Sequence, residues 1–135
     1  MWIYNDREVT EEDTKGYVAF VYIITNLTNG KRYIGKKLLT KTRSKAIKGK
    51  VRKKKIVTES DWKNYFGSNE ILKKDVEVLG QDNFKREIIQ FCKSRGTANY
   101  FEAKLQMIHE VLEKPDEFYN DWVFVKVHRS HIKTA

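Results

Sequence analysis

Cysteine and proline are almost absent from this chain of 135 residues, which contains one of each. Since a disulfide needs two thiols, Cys92 has no partner within the chain, and we expect it to be a small buried hydrophobic residue in a reducing setting. No stretch approaches the roughly 20 apolar residues of a membrane span. The first residues also lack the basic region and apolar core of a secretory signal. These absences predict a cytoplasmic, intracellular protein with no membrane partner.

Two further absences exclude common kinds of site. The sequence contains no glycine-rich phosphate loop. Its three histidines lie at positions 109, 128 and 131, and with a single cysteine they do not make a zinc site. We therefore expect no small-molecule cofactor.

Acidic residues are missing from residues 36–58, whereas eleven lysines and arginines fall there and the formal net charge of the chain is +9. Such a tract repels itself, and we expect a mobile loop or frayed helix until phosphates neutralise it. An anionic membrane surface is the competing partner, but the tract lacks the apolar face of a membrane-binding helix. We predict that a nucleic-acid backbone contacts eight of these residues: Lys36, Lys45, Lys48, Lys50, Arg52, Lys53, Lys54 and Lys55.

Composition and length predict one compact domain. The order of its predicted elements, hairpin, helix, strand and helix, is that of an α/β (α+β) domain. We expect a small antiparallel sheet, made of an N-terminal hairpin and further strands, with helices against it. Residues 1–16 are acidic overall and are interpreted as an N-terminal extension, a tail or cover that Trp2, Ile3 and Tyr4 anchor on the core. Residues 17–135 form the domain, with a basic insertion at 36–58 and a C-terminal strand and basic tail at 121–135.

The remaining pattern sets the order of elements after the insertion. A short turn or helix at 59–69 precedes a helix at 70–79, which Gly80 ends. A strand follows at 84–91. Thr97 then caps a longer helix that Pro115 ends, with an apolar stripe at helical spacing. The last predicted strand covers 122–127.

An Asn29–Gly30 pair lies between two apolar runs and is the strongest short signal for a two-residue hairpin turn. A type I′ turn at this pair places Thr28 opposite Lys31 and Tyr22 opposite Lys37. Because side chains alternate along a strand, four residues then share one face of the sheet: Tyr22, Tyr33, Gly35 and Lys37. Two phenols and an ammonium group would stand beside a glycine that leaves room for a ligand.

Tyr22 followed by Tyr33-Ile34-Gly35 resembles the two-part signature of the GIY-YIG nuclease superfamily. The second half matches fully, whereas Phe20 and Val21 replace the glycine and isoleucine of the first half. The resemblance covers roughly residues 17–120. It implies a compact α/β domain that hydrolyses DNA phosphodiester bonds with Mg²⁺ or Mn²⁺, as phage homing or freestanding endonucleases do.

The resemblance also implies which residues bind the metal and the phosphate. In this superfamily a glutamate on a late helix holds the metal, and Glu102 fits that position. A hard divalent cation accepts carboxylate oxygens and keeps several waters, so one carboxylate with substrate phosphate suffices. An arginine should clamp the phosphate with its planar fork. Arg43 matches by spacing, and Arg52 is the alternative.

Four further residues complete the implied site. Tyr22 would activate or position the water. Since a phenol with its ordinary pKa of ~10 is a poor base, it needs a neighbouring cation, and Lys37 in the expected register is that cation. Tyr33 would orient water or phosphate, and Asn120 resembles the asparagine that braces the site.

Two other functions stay open on this sequence. The first is a non-catalytic nucleic-acid-binding protein on a GIY-YIG-like scaffold, and the second is a small protein that binds an acidic protein partner. A single site of this kind cuts one strand per visit, so double-strand cutting would need a homodimer on DNA or a reorientation. The target sequence is not encoded in any recognisable pattern.

Overall fold

The structure, a computed structural model, describes residues 1–46, 49 and 53–133, and for 43–46 and 53–55 it describes the backbone alone. Within this part of the chain the elements follow in the order β1 (Trp2–Tyr4), β2 (Arg7–Glu8), α1 (Glu11–Thr14), β3 (Ala19–Asn26), β4 (Arg32–Leu38), β5 (Thr40–Ala46), β6 (Lys53–Glu59), a 3₁₀ turn (Trp62–Asn64), α2 (Glu70–Leu79), a second 3₁₀ turn (Gln81–Asn83), β7 (Phe84–Cys92), α3 (Arg95–Ile108) and a third 3₁₀ turn (Arg129–His131).

Five strands form one sheet in the order β2-β1-β7-β3-β4, and β5 and β6 form a separate two-stranded sheet. The predicted α/β fold is confirmed. The main sheet is mixed where an antiparallel sheet was expected, because β1 runs parallel to β7 while the other neighbours are antiparallel. Residues 1–16 thus contribute two strands to this sheet. Trp2 anchors them as predicted, since it is 2% exposed and its Nε1 donates to the Trp62 carbonyl at 2.7 Å.

Strand β3 is buried on both faces along residues 19–24, which is typical of a continuous apolar run between two layers. On one face Tyr22 packs in the largest core cluster with Leu72 of α2. On the other face Val21 packs against Ala98 of α3. Cys92 is buried in that second cluster as expected, and burial raises the pKa of its thiol to about 11. The strand that carries Tyr22 is therefore held from both sides.

The loop between β3 and β4 is longer than the predicted two-residue turn. The Asn26 N–H donates to the Lys31 carbonyl at 2.8 Å, so residues 27–30 form a four-residue loop. Of the two residues expected in the turn only Gly30 has a positive φ, at +77°, whereas a type I′ turn needs two. The Asn26 side chain stabilises the longer loop, because its Oδ1 accepts from the N–H and hydroxyl of Thr28 at 2.9 and 2.6 Å.

This loop shifts the strand register by two residues. Tyr22 lies opposite Gly35, and Phe20 lies opposite Lys37, so the predicted pairing of Tyr22 with Lys37 is wrong. A shift of two preserves the alternation of side chains. The prediction that Tyr22, Tyr33, Gly35 and Lys37 share one face is therefore confirmed despite the wrong turn.

The two longer helices differ in how well their ends were predicted. Helix α2 covers Glu70–Leu79 and ends at Gly80, as expected. Helix α3 begins one turn earlier than predicted, because the hydroxyl of Ser94, and not of Thr97, accepts the capping hydrogen bond. It ends at Ile108, well before Pro115, and the chain then turns where Glu110 has a φ of +54°. No helix in the described ranges is long and apolar enough to cross a membrane.

Two expected conformations are wrong. Residues 40–46 and 53–59 of the basic insertion are paired strands and not a loop or frayed helix. Threonine and branched apolar residues at these positions favour strand structure over helix. The strand expected at 122–127 is not formed, and residues 121–128 have no regular secondary structure. The outward positions of β4 at Arg32 and Ile34 are not available to it, because residues 117–120 already bond to them.

Candidate active site

Strand β4 lies at one edge of the main sheet, and every second residue points its main-chain groups outward there. Arg32 fills the first outward position. Its N–H donates to the Glu117 carbonyl at 2.9 Å, and its carbonyl accepts from the Tyr119 N–H at 2.8 Å. Ile34 and Lys36 take the next two outward positions. The side chains that meet them define the site.

The side-chain amide of Asn120 bonds to the main chain of Ile34 in the way that a neighbouring strand would. Its Oδ1 accepts the Ile34 N–H at 3.0 Å, and its Nδ2 donates to the Ile34 carbonyl at 2.8 Å. Gln106 of α3 donates to the same carbonyl at 3.0 Å. Both amide side chains are buried. Together they fix the main chain between Tyr33 and Gly35, so Asn120 lies at the site, and Gln106 is a partner that its ordinary helical pattern did not reveal.

Glu102 meets Lys36, the third outward position. It precedes Gln106 by one helical turn, a rise of about 6 Å, which matches the spacing of roughly 6.8 Å between Ile34 and Lys36 along the strand. Helix α3 thus places an amide and a carboxylate along the same edge. Partial burial raises the pKa of the Glu102 carboxyl, while the Lys36 ammonium and main-chain N–H both favour its charged form.

Tyr22 and Tyr33 lie together over Gly35. Their ring centroids are 6.2 Å apart, and Tyr22 is 1% exposed. A Cβ at position 35 would lie 2.5 Å from the Tyr22 hydroxyl and 3.0 Å from Tyr33 Cε2. Gly35 has no positive φ, so space and not backbone conformation requires glycine here. The structure therefore brings together the two tyrosines that the sequence singled out.

The segment before α2 closes over these tyrosines. The Tyr33 hydroxyl forms a hydrogen bond with the Ser68 Oγ at 2.9 Å. The edge of Tyr65 packs on Tyr22, with ring centroids 6.1 Å apart and an angle of 84°. These two contacts were missed, because the expected turn at 59–69 gave no indication of what it would cover. Gly67, whose φ is +90°, is the residue that lets this segment bend against Tyr33.

Both phenols are protonated at neutral pH. Burial raises the pKa of Tyr22 well above its ordinary value, and the neighbouring Tyr65 and Tyr33 raise it further. Burial also raises the pKa of Tyr33. Each phenol therefore keeps its hydroxyl proton and is a hydrogen-bond donor.

Lys37 does not supply the cation that was expected to lower the pKa of Tyr22. Its Nζ lies 2.6 Å from Asp61 Oδ1 and 4.1 Å from the ring centroid of Tyr65. The hydrogen bond and charge of Lys37 hold the pKa of the Asp61 carboxyl below its usual value. That expectation is wrong for two reasons: the register places Lys37 opposite Phe20, and Asp61 engages its ammonium group.

A cleft of about 380 Å³ runs along this edge and brings the charged groups together. Lys36, Lys37 and Lys41 line it together with Arg95 and Glu102. Four cations around one carboxylate suit a polyanionic ligand. Arg95 was missed in the sequence, although a signal was present, because residues seven apart lie on the same face of a helix and Arg95 precedes Glu102 by seven.

The other predicted basic residues are placed only in part. Arg43 lies opposite Ile56 in the β5–β6 pair, and its side chain is not described. The same holds for four lysines whose backbones lie in these strands: Lys45, Lys53, Lys54 and Lys55. Three further predicted contacts lie outside the described residues: Lys48, Lys50 and Arg52.

A divalent metal fits this site through Glu102. In the part of the chain that the structure describes, no three His, Cys, Asp or Glu side chains converge. Mg²⁺ does not need such a cluster, since one carboxylate with waters and substrate phosphate completes its shell. Glu102 offers a hard oxygen donor in a cleft that Ser60 and Ser68 also line. The donor set is therefore chemically suited to Mg²⁺ or Mn²⁺.

Comparisons with known proteins identify the family of this chain. Residues 2–123 match the family described as Putative endonuclease segE, GIY-YIG domain. The chain is 30% identical over 101 residues to Putative endonuclease segE of Enterobacteria phage T4, which covers 75% of this chain and 39% of that protein. The chain thus spans about two fifths of the length of the curated relative that it matches. No solved structure matches the chain.

Proposed function

This chain belongs to the segE family of GIY-YIG endonucleases, and from that premise we propose that it is a metal-dependent DNA endonuclease of the phage homing or freestanding type. One observation carries the proposal. Glu102 lines the same cleft as Lys36, Lys37 and Arg95, directly beside the buried tyrosine pair. Binding a polyanion requires the cations alone, whereas a carboxylate among them opposes binding and needs another purpose.

The cations of the cleft would hold the scissile phosphate. Arg95 offers a permanently charged planar fork that can bind two phosphate oxygens at once. Lys36 and Lys37 would add charge from the two faces of β4, since consecutive residues of a strand project to opposite sides. Arg43 and Arg52 remain the candidates for the superfamily's arginine, and Arg95 is a further one in the described part of the chain.

The tyrosines would act as hydrogen-bond donors. With its raised pKa, Tyr22 would keep its proton and position the attacking water or a phosphate oxygen, so the general-base role is dropped. Tyr33 would orient the same group while Ser68 holds its hydroxyl. Asn120 would act through the main chain of Ile34, which it locks in place between the two functional positions 33 and 35.

Glu102 would hold the divalent ion. When bound, Mg²⁺ or Mn²⁺ would supply charge neutralisation at the scissile phosphate. The raised pKa of Glu102 makes the site responsive to acid, because protonation removes the ligand. DNA would be the substrate, and a second copy or a reorientation of one copy would be needed to cut both strands.

A non-catalytic nucleic-acid-binding protein is the second candidate. The observation in its favour is the departure in the first half of the signature, where Phe20 and Val21 replace glycine and isoleucine. Both residues are buried and pack in the core on opposite faces of β3. Since Tyr22 keeps its position beside Gly35, this departure alters packing and leaves the phenol in place.

The decisive experiment is incubation of the purified protein with supercoiled plasmid, with Mg²⁺ or Mn²⁺ and with EDTA. We expect nicked or linear plasmid when Mg²⁺ or Mn²⁺ is present and uncut plasmid in EDTA. Glu102→Gln should abolish cutting and leave binding to DNA equal or tighter, because it removes a negative charge near phosphate. Glu77→Gln is the matched control, since Glu77 is exposed on α2 away from the cleft. Cutting by Glu102→Gln at the wild-type rate would contradict the role of Glu102 as the metal ligand.

A further inference from the structure

Residues 121–133, here called the aromatic arm, form no helix or strand before the short 3₁₀ turn at Arg129–His131. The arm begins directly after Asn120, whose side chain is bonded to Ile34 at the edge of β4. Its start is therefore fixed next to the tyrosine pair.

The far end of the arm is fixed on the first turn of α3. The Lys133 N–H donates to the Thr97 Oγ1 at 2.7 Å, and the Ser94 hydroxyl donates to the His131 carbonyl at 3.3 Å. A Cβ at Gly96 would lie 2.5 Å from that carbonyl, so the arm packs directly on the helix. These contacts surround Arg95, which lines the cleft. Both ends of the arm are thus tied to elements of the site.

Between these ends the arm presents two large rings to solvent. Trp122 is 76% exposed and Phe124 is 80% exposed, whereas the next most exposed aromatic residue, Tyr100, is 40% exposed. Val123, between them, packs inward on the cluster that contains Phe118. The alternation aims both rings outward on a segment that is anchored, which is unusual for apolar side chains of this size.

The charge around the rings identifies the partner. The arm carries three basic residues, Lys126, Arg129 and Lys133, and one acidic residue, Asp121, at its start. A second copy of this chain would bring another +9 and the same basic arm against it, which opposes self-association through this surface. A nucleic acid offers phosphates for the cations and flat base faces for the rings.

We propose that Trp122 and Phe124 stack on DNA bases next to the phosphate held in the cleft. This inference rests on the proposed function, since it takes DNA as the substrate. Base faces are covered in a regular duplex, so the rings require an opened base step or unpaired nucleotides. The protein should therefore bind DNA more tightly where the stack is already interrupted.

Binding is measured in EDTA with two fluorescently labelled duplexes of equal length, one fully paired and one with a central mismatched bubble. We expect tighter binding to the bubble. The double variant Trp122→Ala with Phe124→Ala should weaken bubble binding about tenfold or more and leave the salt dependence unchanged, because stacking releases no counterions. Ile71→Ala with Val78→Ala is the matched control, since these side chains are 62% and 72% exposed on α2.

Tryptophan fluorescence gives a second readout that does not depend on affinity. Trp2 and Trp62 are 2% and 4% exposed, so quenching by acrylamide reports mainly on Trp122. Bubble DNA should protect this fluorescence, and heparin, which has charge but no bases, should not. Equal protection by heparin would overturn stacking.

Three further outcomes separate this inference from the proposed function. If the wild type neither binds nor cuts DNA, both fail. If it binds and cuts while the Trp122 and Phe124 double variant binds the bubble like the wild type, only the stacking inference fails. Concentration-dependent dimers without DNA that this variant abolishes would show that a second copy covers the rings, and would also overturn it.

Discussion

Tyr22 and Gly35 lie on the side of the cleft where the main sheet is packed from both faces, whereas β5 and β6 lie on the other side in a small sheet of their own. The first region depends on close contact, since a single methyl group at position 35 has no room. The second comes from a tract of eleven basic residues without an acidic one. On the proposed function, packing would fix the reacting groups, while charge would collect the substrate. Changes in the first region should alter turnover, and changes in the second should alter affinity.

Among changes to the packed region, Tyr22→Phe should reduce turnover the most. This variant removes one hydroxyl and keeps the ring, so the core should remain folded. If Tyr22 donates a hydrogen bond in the transition state, kcat should fall by about 100-fold or more. Tyr33→Phe is the comparison. Its kcat should fall less, because the Tyr33 hydroxyl of the wild type already forms a hydrogen bond with Ser68. Plasmid-cleavage rates at saturating DNA provide the measurement. Normal kcat for Tyr22→Phe would make this phenol structural.

Gly35→Ala should have the next largest effect, because the added methyl group meets the Tyr22 hydroxyl. Overpacking of this kind costs about 1–3 kcal/mol of stability, and a shift of roughly 1 Å in a positioned group can reduce the rate about 100-fold. Thermal unfolding and cleavage rates are measured together. In the Tyr22→Phe background the same change should cost less stability, since the closest atom is gone. Equal costs in the two backgrounds would place the clash elsewhere.

The packed region was largely predictable from sequence, and its register was not. Alternation in β3 and β4 placed Tyr22 and Tyr33 on one face for any shift by an even number of residues. The loop length depended on the side chain of Asn26, whose local hydrogen bonds compete with the turn that Asn29–Gly30 favours. Local propensity therefore predicted the hairpin correctly and its loop length wrongly.

Long-range contacts account for what sequence could not provide. Lys37 was assigned to Tyr22, but Asp61 engages it across 24 positions of the chain. Arg95 joins the cleft only because α3 lies along the edge of β4. The segment expected as a strand at 122–127 has suitable residues, but residues 117–120 are already bonded to the outward positions Arg32 and Ile34 of β4. Each of these outcomes depends on which elements become neighbours, and a local pattern does not contain that information.

The charged side is tested by changing Lys53, Lys54 and Lys55 to alanine together. Binding of unrelated DNA sequences should weaken alike, and the salt slope should flatten by about 0.9 for each lost phosphate contact. The main sheet should survive, because β6 belongs to the separate two-stranded sheet. The matched control is alanine at Lys73, Lys74 and Lys93, which also lowers the net charge by three. Equal weakening in the control would mean that total charge matters and the position of the tract does not.

The smallest expected effect concerns Glu102, which lies in the cleft between the two regions, and its influence on the stability of the folded protein. Because burial raises the pKa of its carboxyl, the folded state binds this proton more tightly than the unfolded chain does. The destabilisation by the charged carboxylate is therefore absent below the unfolded pKa of about 4.3, and it grows as the pH rises through the folded value. Glu102→Gln removes it. In EDTA the variant should unfold at a higher temperature than the wild type at neutral pH, and the difference should shrink towards pH 4.

Glu77→Gln, on the exposed face of α2, is the matched control for the thermal unfolding of Glu102→Gln. The favourable interaction of Glu102 with the Lys36 ammonium and main-chain N–H opposes the effect of burial, and the sign of the stability change shows which is larger. A Glu102→Gln variant that unfolds below the wild type at neutral pH would mean that the carboxylate stabilises the edge of β4. The expected gain, together with lost cleavage, would mean instead that the site keeps a destabilising charge because the reaction needs it.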